Sequence, residues 1–78
     1  MHNANADKSK RLQVLLRILR SNSRYGISTI NIQHLTQSMA VATDVSELRQ
    51  NGYEVRCSYV GKTPNGRRIF KYRIVEEN

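Results

Sequence analysis

The chain has 78 residues, 38% of them hydrophobic and 24% charged, which suits one small domain and is too apolar for an unfolded chain. No apolar run approaches the roughly 20 residues that cross a bilayer, and Met1 to Ala6 lack the apolar stretch of a secretory signal, so a cytosolic protein is expected. Thirteen Lys and Arg against six Asp and Glu give a net charge of +7, which implies a polyanionic partner, nucleic acid before an anionic membrane surface.

Residues 1–7 read as a polar tail without fixed structure, 8–75 as the single domain, and 76–78 as a short acidic tail. Lys8 to about Arg20 predicts an amphipathic helix capped by Asp7. Leu12, Leu15, Leu16 and Leu19 fall at i, i+3, i+4 and i+7, with Val14 and Ile18 widening the apolar face. Ser21-Asn22-Ser23 ends that helix, and Tyr25-Gly26-Ile27 suggests a single short strand. Ser28 or Thr29 caps a second helix through about Leu35, with Ile32 and Leu35 facing inward. After the turn at Thr36-Gln37-Ser38, a third helix runs from Met39 or Ala40 to Asn51. Its inward face is Val41, Val45 and Leu48, and Gly52 suits a left-handed cap.

Beyond Gly52 the apolar period changes from helical to two. Val55, Cys57 and Tyr59 alternate with Arg56 and Ser58, and Phe70, Tyr72 and Ile74 alternate with Lys71 and Arg73. The turn formers from Gly61 to Gly66 join these two strands into a hairpin. From Arg56 to Arg73 there are six basic residues (Arg56, Lys62, Arg67, Arg68, Lys71, Arg73) and no acid. The expected fold class is therefore α+β: a winged helix-turn-helix of three helices followed by a two-stranded antiparallel wing, with a short extra strand between helices 1 and 2.

Nothing in the sequence forms a catalytic constellation. Cys57 is alone, so no intramolecular disulfide can form, and within an apolar alternation it reads as a small core residue. His2 lies in the tail, and His34 has no carboxylate or cysteine at ligand spacing. No glycine-rich phosphate loop occurs. No enzymatic activity, metal, cofactor or small-molecule substrate is expected. Tyr25, Tyr53, Tyr59 and Tyr72 are scattered rather than grouped, which favours packing over a stacking platform for single strands.

The run Val45-Ser46-Glu47-Leu48-Arg49-Gln50-Asn51-Gly52-Tyr53-Glu54-Val55, followed by Gly66-Arg67-Arg68 and Tyr72-Arg73-Ile74, resembles the helix-turn-helix domain proteins common in phages and prophages. The resemblance covers roughly residues 12–75. It implies binding of double-stranded DNA in the control of transcription or recombination, in the cytoplasm and associated with the nucleoid. Such proteins often carry basic residues early in the third helix, where this chain has Thr43 and Asp44.

Within that frame the candidate DNA-binding residues are Ser28, Thr29, Ala42, Thr43, Ser46, Arg49, Gln50, Lys62, Arg67 and Arg68. Thr43, Ser46 and Gln50 have groups that can hydrogen-bond base edges, and the Ala42 methyl can touch a thymine methyl. Arg49 reaches the DNA or pairs with Glu47 or Glu54. Lys62, Arg67 and Arg68 suit the backbone or a narrow minor groove, and Ser28 and Thr29 suit a phosphate. Asp44 has two readings, as a groove-facing acceptor for cytosine or as a carboxylate turned aside at the positive end of its helix. The alternative function is an adaptor that binds a second protein or a second copy of itself, mildly favoured by Asp44 and Glu47 on the third helix.

Overall fold

The computed structural model describes residues 9–76. The tail expected over residues 1–7, including Asp7 as a cap, lies outside these, as do the last two residues. Three helices and a three-stranded antiparallel sheet follow one another in the order α1 (Lys10–Ser21), β1 (Ile27–Ser28), α2 (Thr29–Thr36), α3 (Val41–Gln50), β2 (Glu54–Lys62) and β3 (Arg68–Val75). The fold is α+β.

Helix α1 starts two residues later than expected because Ser9 is its cap, accepting from the Leu12 amide. Its leucines at 12, 15, 16 and 19 are all buried, as their spacing requires. Val14 is not part of that stripe and stands 43% exposed. Ser28 caps α2 by accepting from the Asn31 amide, and Gln37 leaves that helix in a left-handed conformation. Helix α3 ends in a Schellman arrangement: Gly52 has φ +94°, its amide donates to the Arg49 carbonyl, and the Tyr53 amide donates to the Leu48 carbonyl.

The sheet order is β1-β3-β2, so the short strand after α1 pairs with the last strand rather than with its sequence neighbours. Ile27 lies opposite Tyr72, which in turn lies opposite Cys57. Gly26 permits this approach: a Cβ there would sit 2.8 Å from the Tyr72 carbonyl oxygen, and its φ is +82°. Arg20 donates twice to Glu76, at 2.8 and 2.9 Å, and ties the end of α1 to the end of β3. Glu76, the first residue of the expected acidic tail, is held by Arg20, whose hydrogen bonds keep its carboxyl below the usual carboxylate range.

The core joins Leu12, Leu15, Leu16 and Leu19 of α1 to Ile32 of α2, Val41, Val45 and Leu48 of α3, and Ile27, Val55, Tyr72 and Ile74 of the sheet. Each fully buried leucine contributes about 1.5–3 kcal/mol relative to exposure. Leu35 and Cys57, both expected inside, are outside. Leu35 is 61% exposed, because the eight-residue α2 turns only Ile32 fully into the core. Cys57 is exposed although its neighbour two residues back, Val55, is buried. The strand runs on past the helices that cover it. Among the described residues no helix is long and apolar enough to cross a membrane.

Two outcomes follow. Leu48 is fully buried between α3 and the rest of the core, so Leu48→Ala is expected to lose about 2–5 kcal/mol of stability, read as a fall in the denaturant midpoint. Glu76 has a depressed pKa in the fold, so its contribution is present above the unfolded carboxylate value of about 4.3 and is lost as pH falls through the lower folded value. Glu76→Gln is therefore expected to cost at most about 1 kcal/mol at pH 7, because the pair is exposed. The difference from the unmodified protein should vanish under strongly acidic conditions in pH-dependent thermal unfolding.

Candidate nucleic-acid interface

The candidate residues separate into three places. Ala42, Thr43, Ser46 and Gln50 are all exposed on α3, on the side opposite buried Val41, Val45 and Leu48. Lys62, Arg67 and Arg68 are exposed at the end of the β2–β3 hairpin, with Lys62 directly opposite Arg68. Ser28 and Thr29 are half-buried beside the sheet.

The hairpin end is ordered by its own turn. The Thr63 amide donates to the Arg67 carbonyl at 2.8 Å, the Gly66 amide to the Thr63 carbonyl at 2.9 Å, and the Arg67 amide to the Thr63 hydroxyl at 3.1 Å. Gly66 has φ +85°, which lets the turn close without a Cβ penalty. A register shift between Tyr59 and Gly61 bends β2 just before this end, as a bulge does. On either side of the bulge Tyr59 and Phe70, and Lys62 and Arg68, line one open cavity of about 360 Å³. The Tyr59 and Phe70 rings meet edge to face with centroids 5.7 Å apart. Tyr59, expected inward, is 54% exposed. The strand alternation alone could have grouped Tyr59 with Phe70. The same alternation places Arg68 beside Phe70 on β3, whereas bringing Lys62 to the cavity needs the bulge, which the sequence does not announce.

Helix α3 carries two carboxylates, and the structure accounts for both. Arg11 of α1 spans the interface, with one guanidinium nitrogen on Asp44 and the other 2.9 Å from Glu47. Asp44 is only 4% exposed and also accepts from the Ser38 hydroxyl at 3.0 Å. Ser38 accepts in turn from the Ala40 amide at 3.2 Å, which organises an α3 N-terminus whose own cap residue, Ala40, has no side-chain acceptor. The groove-facing reading of Asp44 is thus corrected. It lies in the first turn of its helix, as the second reading has it, but it is buried and paired rather than solvated.

Arg49 pairs with neither Glu47 nor Glu54. Its guanidinium donates twice to the Val55 carbonyl, at 3.0 and 2.7 Å, and fastens the end of α3 to the start of β2. Thr29 donates its hydroxyl to the Phe70 carbonyl at 3.3 Å, and the Ser28 hydroxyl oxygen serves the Asn31 amide. These three residues have structural partners, whereas the α3 surface group and the hairpin-end cations have side chains turned to solvent. Burial pushes the Tyr72 phenol above its ordinary range, so this tyrosine is neutral at physiological pH and acts as a packing residue. Among the described residues no cluster of His, Cys, Asp and Glu could hold a metal ion.

Comparison with known proteins finds no family model, curated protein or solved structure that matches the chain.

The Arg11 network predicts what Asp44 does. Asp44→Asn or Arg11→Ala leaves part of a buried hydrogen-bonded charge set unpartnered, at a cost of about 1–3 kcal/mol. Both substitutions are expected to lower the thermal midpoint, and Asp44→Asn is expected to leave any ranking of bound DNA sequences unchanged. An unaltered midpoint with an altered ranking would return Asp44 to the groove.

Proposed function

We propose that this protein is a winged helix-turn-helix protein that binds double-stranded DNA, with α2 and α3 as the helix-turn-helix and the β2–β3 hairpin as the wing. The exposed side of α3 reads bases in the major groove through Thr43, Ser46 and Gln50, with the Ala42 methyl beside them. Lys62, Arg67 and Arg68 hold the phosphate backbone or enter the minor groove. The role is that of a regulator of transcription or recombination of the phage or prophage type.

The observation that carries this reading is the internal neutralisation of α3. With Asp44 and Glu47 both bonded to Arg11, the helix presents Ala42, Thr43, Ser46 and Gln50 without an unpaired carboxylate among them. An acidic third helix would repel phosphates; this one has its acids withdrawn to the α1 side. The net charge of +7 and the basic hairpin end act in the same direction. Arg49, Ser28 and Thr29 have a weaker place in the interface, since their side chains serve the fold.

A protein partner is the second reading, and it has its own observation. Leu35 and Met39 are 61% and 90% exposed at the passage from α2 to α3, where a partner could cover them.

Salt titration of binding to random duplex separates the two. Arg67→Ala and Arg68→Ala are each expected to weaken binding to every duplex. Each should also flatten the plot of log affinity against log salt by roughly 0.9 for every phosphate no longer neutralised. Thr43→Ala and Ser46→Ala are expected to alter the ranking of sites by about 1–3 kcal/mol per affected base pair, with the slope unchanged. Undiminished affinity and slope in the hairpin variants would leave the protein-partner reading.

A further inference from the structure

The acid-free run from Arg56 to Arg73 reads in sequence as one stripe, but the pleat divides it between two surfaces. Val55, Tyr72 and Ile74 are buried towards the helices, so Arg56, Lys71 and Arg73, one residue along, project from the opposite face of the sheet. Arg56 lies directly across from Arg73, and Ser58 across from Lys71. The chain leading into β1 adds a fourth cation: Arg24, Tyr25, Arg56, Lys71 and Arg73 line one open depression of about 400 Å³. Gly26 seats this segment there, since a Cβ on it would meet Lys71 Cγ at 3.1 Å and Arg73 Cβ at 3.3 Å.

This arrangement is electrostatically unfavourable by itself. Like charges directly opposite on neighbouring strands destabilise a sheet. Glu54 reaches Arg56 at 2.8 Å, but among the described residues no carboxylate pairs with Arg24, Lys71 or Arg73. Arg24 rests on the Tyr25 ring, 5.5 Å from its centroid, and Arg73 reaches the Ser23 carbonyl at 3.4 Å, interactions that leave their charge unneutralised. All three helices share the core on the other side of the sheet. A duplex lying on α3 and the hairpin end therefore leaves this face of the sheet uncovered.

We propose that the outer face of the sheet is a second site for a DNA phosphate backbone, so that one molecule holds two DNA segments together. This rests on the reading of α3 and the hairpin end as the first duplex site. The chemistry of the patch fits a phosphate backbone rather than an acidic protein. Arg56, Arg73, Lys71 and the Ser58 hydroxyl make up its centre, and the aromatic ring that joins them, Tyr25, is 71% exposed beneath Arg24, unlike the packed apolar or aromatic anchor that protein interfaces use. Cations spread over an open surface suit a line of phosphates, and their mutual repulsion is relieved when one is bound.

The test uses a bead-bound duplex and a free fluorescent duplex, with retention of the second on the first as the measure of bridging. Affinity for a single duplex is measured separately by fluorescence anisotropy. The wild-type protein is expected to bridge. The triple variant Arg24→Gln, Arg56→Gln, Lys71→Gln is expected to lose retention by about tenfold or more, with the single-duplex affinity changed by less than about threefold. The charge-keeping triple Arg24→Lys, Arg56→Lys, Lys71→Arg is expected to bridge like the wild type, which separates charge from folding. Bridging that persists in the glutamine variant overturns the proposal, because self-association would then be its source. Parallel loss of bridging and single-duplex affinity overturns it too, because the two surfaces would be one site. So does retention of fluorescent polyglutamate where no second duplex is retained, since the face would then bind acidic protein. Single-duplex binding without any bridging overturns this inference alone, whereas wild-type protein that binds no duplex removes the first-site reading and this inference with it.

Discussion

The position of α3 depends on one guanidinium. Arg11 leaves α1 and bonds both Asp44 and Glu47, two carboxylates that would otherwise stand at the helix with nothing to balance them. Asp44 is almost wholly withdrawn from water, and a buried charge is tolerated only when it is paired and hydrogen-bonded. Arg11 keeps 45% of its side chain exposed, so only one of the two ions bears the full cost of desolvation. With Ser38 completing the set, the interaction fixes the rotation of α3 about its axis. Rotation in turn decides which side chains face solvent.

Apolar packing acts on the same helix from the other side. Val41, Val45 and Leu48 share one core with the α1 leucines and with Val55, Tyr72 and Ile74 of the sheet, and the double hydrogen bond from Arg49 to the Val55 carbonyl locks the exit of α3 onto β2. A chain of this size buries only roughly 60% of its unfolded surface, so directional bonds such as these carry weight that a larger core would supply by area. The hairpin extends past that core, where it keeps its shape through the turn at Thr63–Arg67 and the Tyr59–Phe70 edge-to-face pair. The proposed interface thus combines a helix held rigidly on two sides with a hairpin end held by local bonds.

Much of this arrangement is legible in the residues. The leucine spacing of α1, the Val41-Val45-Leu48 stripe, the Gly52 stop and the change to period two each report a local rule that tertiary packing leaves intact, and the elements appear within a few residues of where those rules put them. Cys57 and Leu35 depart from their expected places because periodicity tells which face a side chain occupies and not how far the covering element extends. Asp44 departs for a different reason: its partner lies 33 residues away in sequence, and no local pattern links an arginine on the first helix to an acid on the third. The division of the basic stripe between two surfaces is contained in the strand alternation, but it becomes visible only once the sheet's buried side is known. The winged-helix and DNA-binding reading itself rests on the proposal above and its tests.

The most direct measurement is a map of backbone amide chemical-shift changes in the isotopically labelled protein as a short duplex is titrated in at substoichiometric amounts. The account predicts changes concentrated at Thr43, Ser46 and Gln50 on α3 and at Gly66, Arg67 and Arg68 at the hairpin end, with the amides around Arg11 and Leu15 nearly still. Changes confined to Leu35 and Met39, or to α1, with the α3 surface and the hairpin end silent, would contradict it.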